Sequence, residues 1–347
     1  MDGVPTNDSR QTPASYKSDQ EVRWCPGCGD YAVLAAVQSF LPQLGLRREN
    51  IAFISGIGCS SRFPYYLNTY GMHSIHGRAP AIATGLAVTR PDLSVWVVTG
   101  DGDALSIGGN HLIHALRRNV NLKILLFNNR IYGLTKGQYS PTSEQGKVTK
   151  STPMGSLDHP FNPVSLALGA EATFVARALD SDRKGLTEVL RAAAEHRGSA
   201  LVEIYQNCPV FNDGAFEGLR PNGANAGLPP RVIPLRHGEP VRFGPHGEYR
   251  VVRDPDTGAL QVAGPEADVE ASRTVVHDTS MADPTHAFAL SRLGGQDLHY
   301  VPTGIFRAVH RPCYDDLARA QLHTAQQSRP ADLQALLRGA ETWTVTP

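Results

Sequence analysis

The feature that most constrains this chain is a Gly-Asp-Gly-Asp turn at residues 100–103, set between two apolar runs. Residues 93–99 are predicted to form a strand that leads into the turn. A helical stretch follows, and then a second strand, 122–127, ends at Asn128 and Asn129. This order places a carboxylate and a carboxamide at the carboxyl ends of two parallel strands. Both groups are hard oxygen ligands that suit Mg²⁺, and glycines at a helix start suit a phosphate. The pattern therefore predicts a diphosphate held through Mg²⁺.

Four of the five cysteines form a second pattern. Cys25 and Cys28 are a close pair in WCPGCGD, whereas Cys59 and Cys208 each follow a predicted strand. Four thiolates can hold an [4Fe–4S] cluster or a zinc ion. A zinc ribbon usually has two close pairs, so lone thiols at strand ends favour a cluster that the fold assembles beside the Mg²⁺ site. Cys313 lies far from any motif and is expected to be an ordinary free thiol.

Together these motifs resemble the β subunit, which binds thiamine diphosphate (ThDP), of the 2-oxoacid:ferredoxin oxidoreductases. The resemblance runs from about Arg23 to Phe216 and is closest to the 2-oxoglutarate enzymes. It rests on six motifs in the order that the family has them: WCPGCGD, GIGCSSRFPYY, HGRA, GDGD, NNRIYGLTKGQ and NCPVFND. It implies the ThDP-binding fold, one bound ThDP with Mg²⁺, and one [4Fe–4S] cluster.

The resemblance also implies an activity. Family members oxidatively decarboxylate a 2-oxoacid, here 2-oxoglutarate first and pyruvate next, and transfer the acyl group to coenzyme A. ThDP serves as the carbanion catalyst, the cluster removes electrons one at a time, and ferredoxin accepts them. ThDP enzymes also need a carboxylate and a second α/β domain against the aminopyrimidine ring. Only one such domain fits in this chain, so an α subunit is expected to supply the other, in an α₂β₂ assembly.

Site residues follow partly from chemistry and partly from the resemblance. The side chains of Asp101 and Asn129, with the backbone carbonyl of Ile131, are the expected Mg²⁺ ligands. The cluster ligands are expected to be the four cysteines of the motifs. The residues expected to lie along ThDP are Ile57, Gly58, Ser60, Gly100, Gly102, Asp103, Gly133 and Leu134.

Four further polar residues are candidates for catalysis. Arg62 stands where the family often has Lys, and its guanidinium can clamp a carboxylate. Arg78, which follows His76 in the HGR motif, is a candidate for binding a phosphate or a substrate carboxylate, with a structural ion pair as the alternative. Lys136 resembles a family residue near coenzyme A or the substrate, and the alternative is a solvated charge.

The chain divides into three zones by composition. Residues 1–20 are polar and are expected to be a disordered arm. Residues 21–217 alternate strands with amphipathic helices, which is typical of a parallel sheet covered on both faces. Residues 218–347 are rich in Pro, Gly and His and are expected to form an irregular extension that wraps a partner or caps the core.

Hydrophobic patterns give the remaining elements. The further strands are predicted at 51–55 and 200–205, and a hairpin is predicted around 248–252 with a turn at 256–258. The predicted helices are 31–40, 79–88, 110–118, 183–196 and 315–327.

Composition excludes several classes of function. The 347-residue chain has a formal net charge of zero, which does not favour nucleic acid or an anionic membrane surface. No apolar run approaches the roughly 20 residues that a membrane span needs, and the first twenty residues lack a signal-peptide core. Cysteines placed in motifs favour a reducing compartment, so the chain is expected to be cytoplasmic.

Two other functions remain open at this stage. A non-oxidative ThDP decarboxylase of the sulfopyruvate or phosphonopyruvate type would contain no iron, and the cysteine motifs argue against it. A non-catalytic scaffold would bind zinc, and the intact GDGD turn with Asn128 and Asn129 argues against that. Iron and sulfide analysis separates the three.

Overall fold

The structure is a computed structural model that describes residues 3–7, 9–220, 230–267, 270–328 and 331–346. Its strands are β1 Ile51–Ser55, β2 Tyr70–His73, β3 Ser94–Gly100, β4 Lys123–Asn128, β5 Phe174–Leu179, β6 Ala200–Tyr205, β7 Val232–Leu235, β8 Arg242–Phe243, β9 Tyr249–Arg253, β10 Leu260–Ala263 and β11 Val301–Ala308. In this part of the chain, eight strands form a main sheet in the order β2-β1-β3-β4-β6-β5-β11-β7. The strands β10-β9-β8 form a small separate sheet.

The main sheet is mostly parallel, as predicted. Neighbouring strands run parallel throughout, except that β11 is antiparallel to β5. The central strands β1, β4 and β6 are buried along their whole length. Near-continuous apolar runs are what a sheet covered on both faces requires.

Helices cover both faces of this sheet. The α-helices of the described chain are α1 Asp30–Phe40, α2 Ala79–Thr89, α3 Asp101–Leu105, α4 Gly109–Arg118, α5 Pro163–Gly169, α6 Arg183–Glu195, α7 Thr285–Ser291, α8 Tyr314–Ser328 and α9 Leu333–Arg338. Successive strand residues point to opposite faces. Phe53 therefore packs in the apolar cluster beneath α1 and α6, whereas Ile54 packs in the cluster beneath α2, α4 and α5.

The predicted elements are confirmed to within one or two residues. The strand predictions at 51–55 and 200–205 match β1 and β6. The helices predicted from apolar spacing match α1, α2, α4, α6 and α8. The predicted hairpin is formed by β9 and β10, with Val252 paired to Gln261.

The amino-terminal arm, predicted to be disordered, instead packs on the core where the structure describes it. Residues Pro13–Tyr16 form a 3₁₀ turn, and the side chain of Tyr16 is completely buried. Gln11 Nε2 donates to the Leu46 carbonyl at 2.9 Å. One aromatic residue in a polar segment is enough to anchor it, because burying a large ring removes so much apolar surface from water. Residues 1, 2 and 8 of the arm lie outside the described residues.

The carboxy-terminal zone is less irregular than predicted. Strands β7 and β11 come from it, and they extend the main sheet beyond β5. The sheet therefore crosses the predicted boundary at 217, while residues 221–229, just after that boundary, lie outside the described residues. The strands escaped prediction because β7 contains Pro234 and β11 contains Pro302 and Gly304, residues that weaken a strand pattern. That this zone wraps a partner stays a prediction.

No helix in the described ranges is long and apolar enough to cross a bilayer.

Candidate cofactor site

The predicted site residues converge at one edge of the main sheet. Parallel strands end at the same edge, and crevices beyond their carboxyl ends are the usual ligand sites of such folds. The loops that follow β1, β3 and β4 line a cleft here. Its lining includes these predicted residues: Ile57, Gly58, Cys59, Ser60, His76, Gly100, Asp101, Gly102, Asp103, Asn129, Ile131, Gly133 and Leu134.

Asp101 is the buried acid of this cleft, with 2% of the residue exposed. Its Oδ2 accepts hydrogen bonds from Ser140 Oγ at 2.5 Å and from Thr142 Oγ1 at 2.6 Å. Burial raises the pKa of this carboxyl to about 6, although the two hydroxyls oppose the rise. A carboxylate removed from water gains from a nearby cation. The environment of Asp101 therefore fits a ligand of a hard metal ion.

Asn129 and Ile131 lie beside Asp101 in the cleft. Asn129 donates Nδ2 to Gln206 Oε1 at 3.0 Å, which fixes the amide, and its Oδ1 accepts the Ile131 N–H at 3.2 Å. An amide oxygen has two lone pairs, so one remains available. The Ile131 carbonyl accepts no hydrogen bond from the described residues. One carboxylate, one amide oxygen and one carbonyl are a suitable partial ligand set for Mg²⁺.

Asp103 lines the cleft, and its side chain also holds the neighbouring loops together; that it lies along ThDP stays a prediction. Its carboxylate accepts His76 Nδ1 at 2.8 Å, the Gly77 N–H at 2.9 Å and Thr99 Oγ1 at 2.8 Å. A longer bond of 3.3 Å comes from the Ile57 N–H. The side chain thus ties the loops after β1 and β2 to the 100–103 turn. It shapes the cleft and orients the His76 ring.

Glycine is required where the loops touch. A Cβ on Gly102 would collide with the ring of Tyr132, whose hydroxyl donates to the Gly102 carbonyl at 3.0 Å. A Cβ on Gly77 would collide with the backbone of Gly108, and Gly77 has a φ of +68°. These glycines let the loops pack closely around the cleft, and the predicted approach of the backbone to a phosphate stays a prediction.

Cys59 and Cys208, two of the four motif cysteines, meet at the side of the cleft nearest Gly133. A Cβ placed on Gly133 would lie 3.5 Å from Cys59 Sγ and 3.7 Å from Cys208 Sγ. Cys28 Sγ accepts Gln206 Nε2 at 3.2 Å. Cys25 is exposed, and no disulfide joins the cysteines of the described chain.

The electrostatics of this region reflect its burial. Burial, followed by the charge of Asp30, raises the pKa of Cys59 to about 12 and also raises that of Cys28. These thiols therefore stay protonated until a metal displaces the protons. Within the described ranges, no three Cys, His, Asp or Glu side chains already form a closed metal-ligand group. The thiols converge without reaching that geometry.

The four candidate catalytic residues are placed differently from one another. His76 lines the cleft, and Lys136 is exposed on the loop that follows Leu134, with a φ of +75°. Arg62 lies in a neighbouring groove and is close enough to lower the pKa of Cys59. Arg78 Nη1 donates to the carbonyls of His76 and Ile107 and so braces the loop, and Arg78 forms no ion pair with the residues that the structure describes.

Sequence reasoning missed several residues that hold the site together. Ser140 and Thr142 bind Asp101, and Gln206 joins the Asn129 amide to the Cys28 thiol. Trp24 Nε1 donates to the Cys59 carbonyl at 2.7 Å. Trp24 and Gln206 are close to the cysteine motifs in sequence, and that position could have indicated that they belong to the site. Ser140 and Thr142 stand in a loop with no pattern that marks them.

Comparisons with known proteins also indicate a thiamine diphosphate-binding oxidoreductase subunit. Residues 56–204 match a family described as the C-terminal TPP binding domain of thiamine pyrophosphate enzymes. Over 346 residues the chain is 70% identical to the 2-oxoglutarate oxidoreductase subunit KorB of Mycobacterium tuberculosis, covering 99% of this chain and 91% of that protein. It is 46% identical over 200 residues to 2-oxoacid:ferredoxin oxidoreductase 1, subunit beta, of Aeropyrum pernix. That match covers 58% of this chain and 63% of the archaeal protein, which is less than two thirds of its length.

A solved structure shares the fold. It is a 2-oxoglutarate:ferredoxin oxidoreductase from Magnetococcus marinus with 2-oxoglutarate, coenzyme A and succinyl-CoA bound. The superposition has a TM-score of 0.75 at 34% identity, and it covers 96% of this chain and 98% of the other.

Proposed function

This chain belongs to the beta subunits of the 2-oxoacid:ferredoxin oxidoreductases, and we propose that it carries the Mg²⁺–ThDP site and an [4Fe–4S] cluster of such an enzyme. The reaction is the oxidative decarboxylation of a 2-oxoacid with coenzyme A to acyl-CoA and carbon dioxide, with ferredoxin as the electron acceptor. The substrate is 2-oxoglutarate first and pyruvate next. Both the Mycobacterium tuberculosis relative and the Magnetococcus marinus enzyme carry 2-oxoglutarate in their names, which supports that order.

One observation carries the proposal. The Mg²⁺ ligand candidates and the cysteines lie at the same sheet edge, and Gln206 hydrogen-bonds to members of both sets. A ThDP decarboxylase that transfers no electrons has no need of thiols beside its cofactor. The cofactor supplies carbanion chemistry when bound, and a cluster supplies one-electron transfer.

The roles of the chain's own residues follow from their contacts. Asp101, Asn129 and the Ile131 carbonyl hold Mg²⁺, and Ser140 and Thr142 keep the Asp101 carboxylate in place. The backbone of Gly102 and Gly133 lies along the diphosphate, and glycine at these positions lets Tyr132 and the thiols of Cys59 and Cys208 pack against it. Ile57, Gly58, Ser60, Gly100 and Leu134 form the remaining walls.

The polar residues around the cleft act on the substrate. His76 Nδ1 is bound by Asp103, which leaves Nε2 as the ring nitrogen that can meet a ligand. Arg62 and Lys136 are cations near the cleft for substrate carboxylate or coenzyme A phosphate groups. Arg78 stabilises the loop that carries His76. The cysteines Cys25, Cys28, Cys59 and Cys208 hold the cluster.

A partner subunit is part of the proposal. The matching family domain is a C-terminal TPP binding domain, and the described chain contains one large sheet rather than two. An α subunit then supplies the domain that holds the aminopyrimidine ring, in an α₂β₂ assembly placed in the cytoplasm.

Elemental analysis tests this function against its alternatives. We expect anaerobically purified protein to contain iron and acid-labile sulfide in equal amounts and to show the broad visible absorption of an [4Fe–4S] cluster, bleached by dithionite. Protein without iron or zinc would favour a non-oxidative decarboxylase. Zinc in place of iron would favour a scaffold protein. Either result would overturn the proposal.

A further inference from the structure

A second cavity lies behind the cofactor cleft and belongs to none of the roles above. It has a volume of about 240 Å³ and lies between the end of β4, the 159–163 loop and the 292–298 loop. Ligand pockets for drug-sized molecules span about 300–1,000 Å³, so this one suits a compact ligand. The residues at its base, Asn128 and Tyr205, are both at least nine-tenths buried.

The base of the cavity is polar and fixed. Asn128 Nδ2 donates to Glu203 Oε1 at 2.7 Å, and Glu203 in turn pairs with Arg177 at 2.7 Å. Asn128 Oδ1 accepts the Arg130 N–H at 3.1 Å and Thr142 Oγ1 at 2.9 Å. Because these groups already satisfy one another, they form a rigid base and do not need to rearrange when a ligand binds.

The walls carry positive charge. Arg130 is 8% exposed, and its Nε donates to the Thr142 carbonyl. Its Nη2 meets the Gln296 carbonyl at 3.2 Å and Glu144 at 3.4 Å, whereas Nη1 has no partner among the described residues. Arginine has five N–H donors, and a buried one normally uses most of them. Nη1 is therefore free to bind a ligand in the cavity.

Arg292 also lines the cavity; it is an exposed residue, and its guanidinium has no hydrogen bond or ion pair with the rest of the described chain. Glu144, the acid that pairs with Arg130, also pairs with Lys147 at 2.9 Å, and Glu203, which bonds to Asn128, pairs with Arg177. Two further acids, Asp158 and Asp297, adjoin the lining residues and are exposed. Two arginines that line one small cavity attract an anion. Arg292 can bind a carboxylate or phosphate through two N–H groups, and Arg130 can bind it through Nη1.

The cavity is linked to the Asp101 carboxylate. Thr142 Oγ1 lies 2.6 Å from Asp101 Oδ2 and 2.9 Å from Asn128 Oδ1, and one hydroxyl proton can serve only one of them at a time. The Arg130 carbonyl also accepts Ser143 Oγ at 2.6 Å. A ligand that fixes Arg130 thus fixes the 140–143 loop, which holds Asp101.

We propose that this cavity binds a compact organic dianion, a dicarboxylate or a small phosphate ester, between Arg130 and Arg292. Its occupation strengthens Mg²⁺–ThDP binding at Asp101. The anion site stands on its own contacts, whereas the coupling rests on the proposed function. Coupling is reciprocal, so Mg²⁺–ThDP also raises the affinity for the dianion.

Calorimetric titration of the αβ complex tests the anion site, without Mg²⁺ or ThDP. The probes are succinate and glycerol 3-phosphate, which distinguish a dicarboxylate from a phosphate ester, and acetate serves as the monoanion control. We expect one of the two dianions to bind at least about tenfold more tightly than acetate. Arg292→Ala should weaken that dianion about tenfold, as the loss of one charged pair at a site does. Arg292→Lys should retain part of the affinity.

A matched control is Arg236→Ala, which removes a guanidinium whose side chain is 71% exposed and which lies outside the cavity lining. It should bind the dianion as the unmodified protein does. The anion site is overturned if neither dianion binds at 10 mM, or if Arg292→Ala binds it unchanged, because the dianion then occupies another site. Since Arg292 is exposed and its side chain has no hydrogen-bond or ion-pair partner in the described chain, this variant should fold normally.

The coupling is measured as the Kd of ThDP at fixed Mg²⁺, with and without the dianion. We expect the dianion to lower that Kd several-fold, and to have no effect in Arg292→Ala. An unchanged Kd would overturn the coupling. If the unmodified protein binds the dianion but binds no ThDP, the proposed cofactor site is overturned and the anion site stands.

Discussion

Replacing Asp101 with alanine is expected to abolish Mg²⁺-dependent ThDP binding. The carboxylate is buried and is the only anionic ligand that the protein is expected to give the metal. Without it Mg²⁺ binds poorly, and the diphosphate charge is then poorly compensated. Removing one partner of a buried charge pair costs about 3 kcal/mol or more, which corresponds to roughly a 100-fold loss of affinity. ThDP binding would be measured by calorimetry at a fixed Mg²⁺ concentration.

Two further variants test whether the loss of ThDP binding comes from the missing charge of Asp101. Asp101→Asn keeps an oxygen ligand and the shape of the side chain but removes the charge, and it should bind ThDP at an intermediate level. Asp256→Ala removes an exposed acid from the turn between β9 and β10 and should change nothing. ThDP binding by Asp101→Ala with unmodified affinity would show that the metal lies elsewhere.

Replacing Cys208 with serine should remove the cluster and, with it, electron transfer. A hydroxyl is a far poorer iron ligand than a thiolate. Cys208 is the strongest test of the four, because it is almost 150 residues from Cys59 in sequence yet lies with it against Gly133. We expect the variant to lose most of its iron and sulfide and to stop reducing methyl viologen.

Cys313→Ser is the matched control, since Cys313 is 2% exposed and lies just before α8, outside the cleft lining. It should keep its iron and its viologen activity. Full iron content and normal viologen reduction in Cys208→Ser would contradict the four-cysteine ligand set.

Much of the sheet could be predicted, because a strand that is buried on both faces has a near-continuous apolar sequence. β1 is an apolar run that ends at Ser55, and β6 is an apolar run interrupted only by Glu203. A strand covered on both faces needs such a near-continuous run. The site was predictable for a related reason. Parallel strands end at one edge, so the residues after β3 and β4 had to lie close together.

What the sequence did not reveal depends on contacts between distant segments. Tyr16 anchors an arm that is otherwise polar, and one residue does not produce a periodic signal. Strand β11 is placed by pairing with β5 from more than a hundred residues away. Thr142 follows a proline in a loop, and only the folded chain brings its hydroxyl to Asp101. Arg78 donates to the backbone carbonyls of His76 and Ile107, contacts that only the folded chain reveals, and its binding of a phosphate or carboxylate stays a prediction.

The most direct test of the central claim compares the isolated chain with the chain joined to its α subunit. Both would be assayed anaerobically for coenzyme A-dependent oxidation of 2-oxoglutarate and of pyruvate, with ThDP, Mg²⁺ and methyl viologen or ferredoxin. The account predicts no turnover and weak ThDP binding by the chain alone. It predicts that the α subunit restores both, in an α₂β₂ complex. Full turnover by the isolated chain, or release of free aldehyde without any electron acceptor, would contradict it.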